Sequence, residues 1–264
     1  MDLVSIVTPA YNASGFISEM IESVRMQTYS EWELLITDDC SVDNTVEIVR
    51  EFIDRDPRIK LFCLQKNEGA GRARNRSIEE AQGRYIAFCD SDDLWMPQKL
   101  ELQIETMRKT GVAFLHSNFY VVDSNNRIIT LRKRFKKVSY FAVFLMDFIA
   151  TTSCVVYDTA VAGKFYMRPI RKRQDWLYFI DVLKVLRKAY CIQESLVCWR
   201  KHNKSLSSKK RSLFKYHYKV YHKYLGLPAI LAFFICYGIN IPLIACRKIY
   251  EKYTDFLFKC GWWK

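Results

Sequence analysis

One pattern fills the first hundred residues and limits the chain to few architectures: apolar runs of strand length alternate with amphipathic segments of helix length. Residues 3–7 read as a strand. Ser14 then stands as a cap to a segment where Phe16, Ile17, Met20, Ile21 and Val24 recur at helical spacing. Further strands are expected over 34–37, 59–64 and 85–89, with helices over 41–53 and 69–81 between them. Strict strand–helix alternation demands a parallel sheet covered on both faces by helices, an α/β fold. Ligands of such sheets bind beyond the carboxyl ends of the strands. Those ends carry Thr8-Pro9-Ala10-Tyr11, Asp38-Asp39, Lys66-Asn67 and Asp90-Ser91-Asp92-Asp93, so four polar clusters converge on one rim.

The last cluster raises a question of its own. Asp90, Asp92 and Asp93 follow directly on the apolar run Tyr85-Ile86-Ala87-Phe88-Cys89, where their charges repel one another. Carboxylates in a turn also cap helices and close loops. Two of them two residues apart can equally offer hard oxygens to Mg²⁺ or Mn²⁺ and leave coordination positions for phosphate oxygens.

Charge divides the chain. The whole carries a formal +13 from 41 Lys+Arg and 28 Asp+Glu, yet the acidic residues crowd into the first hundred. Acidic chemistry in front and a basic surface behind suit an anionic partner for the second part. With half the residues hydrophobic, disorder is excluded. The nine cysteines include no C-x-x-C pair and no zinc spacing, which favours a reducing, cytosolic setting. Cys63 and Cys89 fall inside strand runs, as small hydrophobes do. The first residues lack the basic and long apolar regions of a signal peptide. No G-x-G-x-x-G follows the first strand, which excludes the usual dinucleotide site.

The series VSIVTPAYN, ITDDCSVDNT, NEGAGRARNRSI and YIAFCDSDD resembles the nucleotide-binding half of family-2 glycosyltransferases with the GT-A fold. A continuation, RQDW and then WRKHNKSLS, resembles the acceptor half of bacterial surface-polysaccharide members. The resemblance implies a GT-A domain over 1–208, divided into a nucleotide-sugar half (1–110) and a smaller acceptor half (111–208), with a basic, hydrophobic tail over 209–264. It implies that Pro9, Ala10 and Tyr11 line the base, that Asp39 bonds a uracil edge, and that Asn67 and Arg74 border the uridine and diphosphate. Asp90 then lies near the ribose, and Asp92 on Mn²⁺ or Mg²⁺. Asp175 aligns with the general base of a Glu-Asp motif whose Glu is here Gln174, and His202 matches a His near the metal or diphosphate. The implied activity is inverting transfer from a UDP-sugar to a lipid-linked saccharide, in O-antigen or capsule synthesis at the cytoplasmic face of the bacterial inner membrane. A non-catalytic nucleotide-sugar or glycan-binding subunit is the alternative.

Each assignment has a plainer rival. Asp39 can cap a turn, Arg74 can be one solvated arginine of RARNR, Asp175 can cap its helix, and His202 can be basic surface. The uncharged run 224–246 is long enough to span a bilayer, but Gly226, Pro228, Gly238, Asn240 and Pro242 interrupt it. An interfacial hairpin or a buried core helix fits as well. Basic residues on both flanks, Lys209, Lys210, Arg211, Lys215, Lys219 and Lys223 before and Arg247, Lys248 and Lys252 after, favour peripheral or monotopic attachment to an anionic membrane, with Trp262 and Trp263 as anchors. No nucleic-acid motif accompanies the basic surface, so nucleic acid is not an expected partner.

Overall fold

A computed structural model describes residues 2–201 and 213–260. Strand β1 (Val4–Ala10) is buried at every position. This explains why its sequence is a continuous apolar run and not an alternation. Helix α1 (Ile17–Arg25) returns the chain with Ile17, Met20, Ile21 and Val24 turned inward. Strand β2 (Trp32–Asp38) pairs parallel to β1 in the register Ile6↔Leu34. The unit repeats through α2 (Thr45–Ile53), β3 (Ile59–Cys63), α3 (Ala70–Glu80) and β4 (Tyr85–Phe88). Ser14 does not cap α1, whose preceding residue is Phe16 and whose first N–H groups meet no capping side chain. Instead the Ser14 N–H donates to Asp43 Oδ2 at 3.2 Å and ties the β1–α1 loop to the β2–α2 loop.

Past β4 the sheet changes character. Strand β5 (Leu94–Trp95) and helix α4 (Lys99–Thr110) lead to β6 (Phe114–Val122) and β7 (Ile128–Arg132), an antiparallel pair. Next come β8 (Lys137–Ser139), α5 (Tyr140–Leu145), β9 (Val156–Asp158), α6 (Thr159–Ala162), α7 (Gln174–Leu186) and β10 (Lys188–Arg200). Strand β9 runs antiparallel to both β4 and β6 and joins the two halves into one sheet, β3-β2-β1-β4-β9-β6-β10-β5. The parallel expectation thus holds for β3-β2-β1-β4, and the whole sheet is mixed. Successive side chains of β1 feed opposite cores: Ile6 packs with Leu34 and Met20, and Val7 with Leu35, Phe88 and Trp176. Cys89 is buried as expected, but Cys63 is exposed, because β3 is the edge strand of the sheet.

The chain ends in α8 (Leu213–Lys219), α9 (Ala229–Phe234) and α10 (Ile241–Lys259), joined by wider helical turns. Part of this region is core. Val220, Tyr221, Ala232 and Cys236 are buried in the cluster that contains Trp176, and the Tyr221 hydroxyl donates to Phe144 O at 2.8 Å.

Candidate functional site

The rim is built where strands end and the backbone turns sharply. Pro9 lies beyond the last β1–β4 pair, Val7↔Phe88, so its missing N–H breaks no ladder bond on that side. Ala10 is buried, and its carbonyl accepts the Asp39 N–H at 2.8 Å. Tyr11 is 51% exposed at the head of the loop. Asn12 and Cys40 adopt left-handed φ of 48° and 65°, conformations that reverse both loops at the rim. The Asn12 N–H donates to Ser41 Oγ and the Val42 N–H to Asn12 Oδ1, each at 2.9 Å.

The turn at Cys40 gives two adjacent aspartates different work. Asp38 accepts from the Ser41 N–H at 2.8 Å and the Ser41 hydroxyl at 2.5 Å. Asp39 reaches the other way and accepts the N–H groups of Glu68 and Gly69, each at 2.7 Å. Asn67 donates from Nδ2 to Asp39 O at 3.1 Å, while the residue itself stays exposed. Burial raises the Asp39 carboxyl above its usual value although both N–H groups oppose this. Asp38 therefore closes the turn, and Asp39 fixes the loop that opens α3.

The three arginines of RARNR separate in the same way. Arg72 pairs with Glu79 at 3.2 Å and Arg76 with Glu80, both on the helix surface. Arg74 is only 5% exposed and donates Nη2 to Asp90 Oδ1 at 2.5 Å. Its Nε has no hydrogen-bond partner.

At the tip of β4, Asp90 Oδ2 also accepts from the Thr152 hydroxyl at 2.9 Å. The Asp90 N–H donates to Ser153 Oγ at 3.0 Å, and that hydroxyl donates on to Asp93 Oδ2 at 2.5 Å. Asp93 is fully buried and accepts the Arg200 N–H at 3.0 Å on its other oxygen. Burial lifts its carboxyl well above the usual range, and the charges of Asp92 and Asp90 add to this. Asp92 stands between these two, half-buried on the rim. So Asp90 and Asp93 are held on both oxygens by protein groups, and Asp93 anchors the end of β10.

Asp175 lies in the first turn of α7, which Arg173 opens with a left-handed φ of 65° and no side-chain cap. Asp175 Oδ1 accepts the following Trp176 N–H at 2.9 Å, and the residue is half-buried. The start of α7 is pressed against the start of α3. A methyl group on Gly71 would collide with Gln174 Oε1 and meet Met167 Cβ at 3.7 Å. Met167 Sδ in turn lies 3.9 Å from Arg74 Nη1. Asp90, Arg74, Met167, Gly71 and Gln174 thus form a continuous path between the DSDD turn and the helix that carries Asp175. Close by, the Asp147 carboxyl is pushed up to about 6 by burial and then by the charge of Asp175. Arg173 Nη1 lies 3.9 Å from Asp147 Oδ2.

Pro9, Ala10, Tyr11, Asp39, Asn67, Arg74, Asp90, Asp92 and Asp175 all fall on this rim or on the path that crosses it. His202 lies outside the described residues, as do Lys209, Lys210, Arg211, Trp262 and Trp263. Sequence reasoning missed Thr152, Ser153, Asp147 and Arg200. Thr151-Thr152-Ser153 is the only polar cluster between Ala150 and Asp158, and that was the available signal. Arg200 stands inside the WRKH segment but is marked by nothing except its neighbours.

Residues 5–190 match the profile described as Glycosyl transferase family 2. The chain belongs to that family. This family-2 glycosyltransferase is 36% identical over 221 residues to the putative teichuronic acid biosynthesis glycosyltransferase TuaG of Bacillus subtilis, a match covering 84% of this chain and 88% of TuaG. It is 35% identical over 248 residues to the UDP-Glc:alpha-D-GlcNAc-diphosphoundecaprenol beta-1,3-glucosyltransferase WfgD of Escherichia coli, covering 93% of this chain and 94% of WfgD. Among solved structures, TarS of S. aureus in complex with UDP-GlcNAc superposes with a TM-score of 0.71 at 20% identity, covering 89% of this chain and 70% of that one. The mixed sheet flanked by helices is the GT-A arrangement.

Among the described residues, no trio of His, Cys, Asp or Glu could enclose a metal ion unaided. The donor set still fits one. Asp92, half-buried on the rim between Asp90 and Asp93, adds a third carboxylate of the hard-oxygen type that Mg²⁺ and Mn²⁺ take. Mg²⁺-type sites are commonly completed by substrate phosphates and water around one or two carboxylates.

Proposed function

We propose that this glycosyltransferase moves a hexose from a UDP-sugar to a hydroxyl of a lipid-diphosphate-linked saccharide, with inversion at the anomeric carbon, in bacterial surface-polysaccharide synthesis. The observation that carries this reading is the convergence of the Asp39 loop, the Asp90–Asp92 turn and the Asp175 helix on one rim, connected through Arg74. Pro9, Ala10 and Tyr11 form the wall against the base, and Asp39 and Asn67 hold its edge. Arg74 pairs with Asp90 beside the ribose and sets positive charge near the diphosphate; His202 joins them on sequence alone. Asp175 takes the proton as the acceptor oxygen bonds to the anomeric carbon. The bond from that carbon to the β-phosphate oxygen breaks, and UDP leaves with the electron pair. Asp92 would hold Mn²⁺ or Mg²⁺, which when bound would supply positive charge to the leaving phosphate. WfgD and its relative WfaP are named as using UDP-Glc and forming a beta-1,3 linkage to a GlcNAc-diphospholipid. UDP-glucose carries an α bond, so such a product is inverted.

Membrane contact is part of the same reading. The helix over 229–256 has the length and composition to cross a bilayer, with mean hydropathy 2.2 over its most apolar 18 residues. Yet it is fastened to the domain along its length. Asn240 Nδ2 donates to Leu145 O at 2.5 Å, Arg247 Nη1 to Asp147 O at 3.0 Å, and Asp255 is paired with Arg132. These fastenings span on the order of 22 Å of helix axis. Its other side exposes Ile230, Phe233, Phe234, Tyr237, Ile249 and Phe256. A pinned helix with an apolar outer side and basic flanks suits lying in the surface of an anionic cytoplasmic leaflet better than crossing it.

The test is a screen of UDP- and GDP-hexoses against a GlcNAc-diphospho-prenyl acceptor, with linkage read by NMR. Transfer from a UDP-hexose with a β product, abolished by EDTA and restored by Mn²⁺, is expected. Absence of transfer from every UDP-hexose, with no UDP binding by calorimetry, overturns it. For the membrane, Phe233→Ser with Phe234→Ser should reduce pelleting with phosphatidylglycerol vesicles.

A further inference from the structure

Three arginines from distant parts of the chain meet around one carboxylate beside Asp175. Arg173 opens α7, and its Nη1 lies 3.9 Å from Asp147 Oδ2. Arg247, on α10, donates Nη1 to the Asp147 carbonyl at 3.0 Å. Arg134 comes from the link between β7 and β8, and its charge acts on the Asp147 carboxyl together with those of Arg173 and Arg247. The carboxylates that face these groups are Asp147 itself, Asp175, and Glu251, whose Oε1 lies 3.5 Å from Arg247 Nε. His217 adds no charge, because burial and then the charge of Arg173 hold its pKa down at about 4.

The arginines are not used up by these partners. Arg134 forms no ion pair among the described residues, and its side chain donates only to the Lys133 carbonyl, at 3.4 Å. Burial lowers its pKa, and the charge of Arg247 lowers it further. The Nε atoms of Arg173 and Arg247 are buried without a hydrogen-bond partner, as is Asp147 Oδ1. Burial and then the charge of Asp175 raise the Asp147 carboxyl to about 6, although all three guanidinium groups oppose this. Like charges gathered out of water are costly until an anion joins them. Guanidinium groups take phosphate oxygens two at a time, with charge-assisted hydrogen bonds.

The place of the cluster fits a phosphate that arrives with the acceptor. On one side stands Asp175. On the other runs α10, which exposes Ile249 and Tyr250 within one turn of Arg247, and Tyr253 and Phe256 beyond them. That exposed side is the one that lies toward the leaflet in the reading above. Arg247 stands where the membrane-facing helix meets the carboxylate next to the proton acceptor.

We propose that Arg134, Arg173 and Arg247 bind the phosphate groups of a lipid-diphosphate-linked acceptor, between Asp175 and the leaflet. This rests on the acceptor class given under Proposed function. The donor's diphosphate is a different group, which faces Arg74.

Two measurements on the full-length protein test it. The first is steady-state transfer to GlcNAc-diphospho-prenyl and to a phosphate-free GlcNAc glycoside. Arg134→Gln should raise KM for the diphosphate acceptor about ten-fold, with kcat and the KM for the glycoside within about two-fold. Arg134→Lys should recover part of the loss, and UDP affinity with Mn²⁺ should stay unchanged in both variants. Unchanged KM, equal losses on the two acceptors, or weaker UDP binding overturns the proposal. The second is a calorimetric titration with farnesyl diphosphate, UDP and Mn²⁺ being present to fill the donor site, and in parallel with phosphatidylglycerol vesicles. Arg134→Gln should weaken farnesyl diphosphate about ten-fold. Asp147→Asn, which removes no arginine, should tighten it, because the carboxylate competes with phosphate for Arg173. Weaker binding by Asp147→Asn, or a loss in Arg134→Gln that is as large for the vesicles, overturns the proposal. If the wild type transfers to neither acceptor, the acceptor reading fails, and the titration still decides whether the arginines take a prenyl diphosphate.

Discussion

Asp90, Asp92 and Asp93 differ less in sequence than in surroundings, and their substitutions should separate accordingly. Asp92→Asn is expected to lower sugar transfer by about 10³-fold, with the melting midpoint moved by no more than about 1 °C; calorimetric Mn²⁺ uptake in the presence of UDP should be lost with it. Asp93→Ala leaves the Ser153 hydroxyl and the Arg200 N–H without an acceptor in the interior. It should cost about 2–3 kcal/mol in urea unfolding before any effect on catalysis is considered. A stable Asp93→Ala protein would show that the Ser153–Asp93–Arg200 junction is dispensable. Two other buried groups set opposing pH trends. His116 is fully buried with neither ring nitrogen hydrogen-bonded, and burial holds its pKa down at about 3. Its contribution to stability is complete above the ordinary histidine value near 6.5 and falls as pH drops toward about 3. His116→Leu should therefore flatten the loss between pH 7 and pH 5, by about 2 kcal/mol at the lower pH. Asp147 acts in reverse: its contribution is complete below 3.8 and lost as pH rises through about 6. Asp147→Asn should raise stability by about 1–2 kcal/mol at pH 7.5 and leave it unchanged at pH 4. Urea titrations across this range check both slopes.

At the scale of elements, the contact between α3 and α7 carries the most consequence. A β-carbon on Gly71 would crowd only the amide end of the Gln174 side chain and meet Met167 Cβ at an ordinary 3.7 Å, so the two helices can accept one once Gln174 turns aside. Gly71→Ala should therefore keep kcat within about two-fold and lower the melting midpoint by no more than about 2 °C. A ten-fold loss of kcat would show that the Gln174 side chain is fixed in place and positions Asp175. The Gln174 that departs from the family's Glu-Asp motif thus has a packing role in this chain. Strand β10 is the other structural hinge of the site. It runs from Lys188 to Arg200, whose N–H meets Asp93, so the last strand of the domain is fastened to the turn that carries Asp90 and Asp92.

At the scale of the molecule, the C-terminal helices belong to the domain that they follow. Removing everything after residue 208 would uncover Trp176 and its neighbours, which Val220, Tyr221, Ala232 and Cys236 bury. The truncated chain is expected to run as aggregate in size-exclusion chromatography; a monodisperse, enzymatically active 1–208 would refute that packing. The sequence alone determined β1 through β4, because β1, β2 and β4 are buried on both faces, β3 is an apolar half-buried edge strand, and each intervening helix is buried on one face, so both periodicities are local. It also determined the rim, since strand ends in a parallel sheet lie on one side whatever follows. It left β9 and the one-turn helix at Thr152–Cys154 undefined. Segments of three residues are too short to hold a period, and their positions are fixed by Asp90, Asp93 and the edges of β4 and β6. Only the tertiary structure separated Asp38 from Asp39 and the three arginines of RARNR, because identical side chains acquire different partners from the direction in which the backbone turns. The same holds for Asp147 beside Asp175 and for the choice of α10 to lie along the domain. These depend on residues far apart in the chain meeting in space, and no local pattern records such meetings.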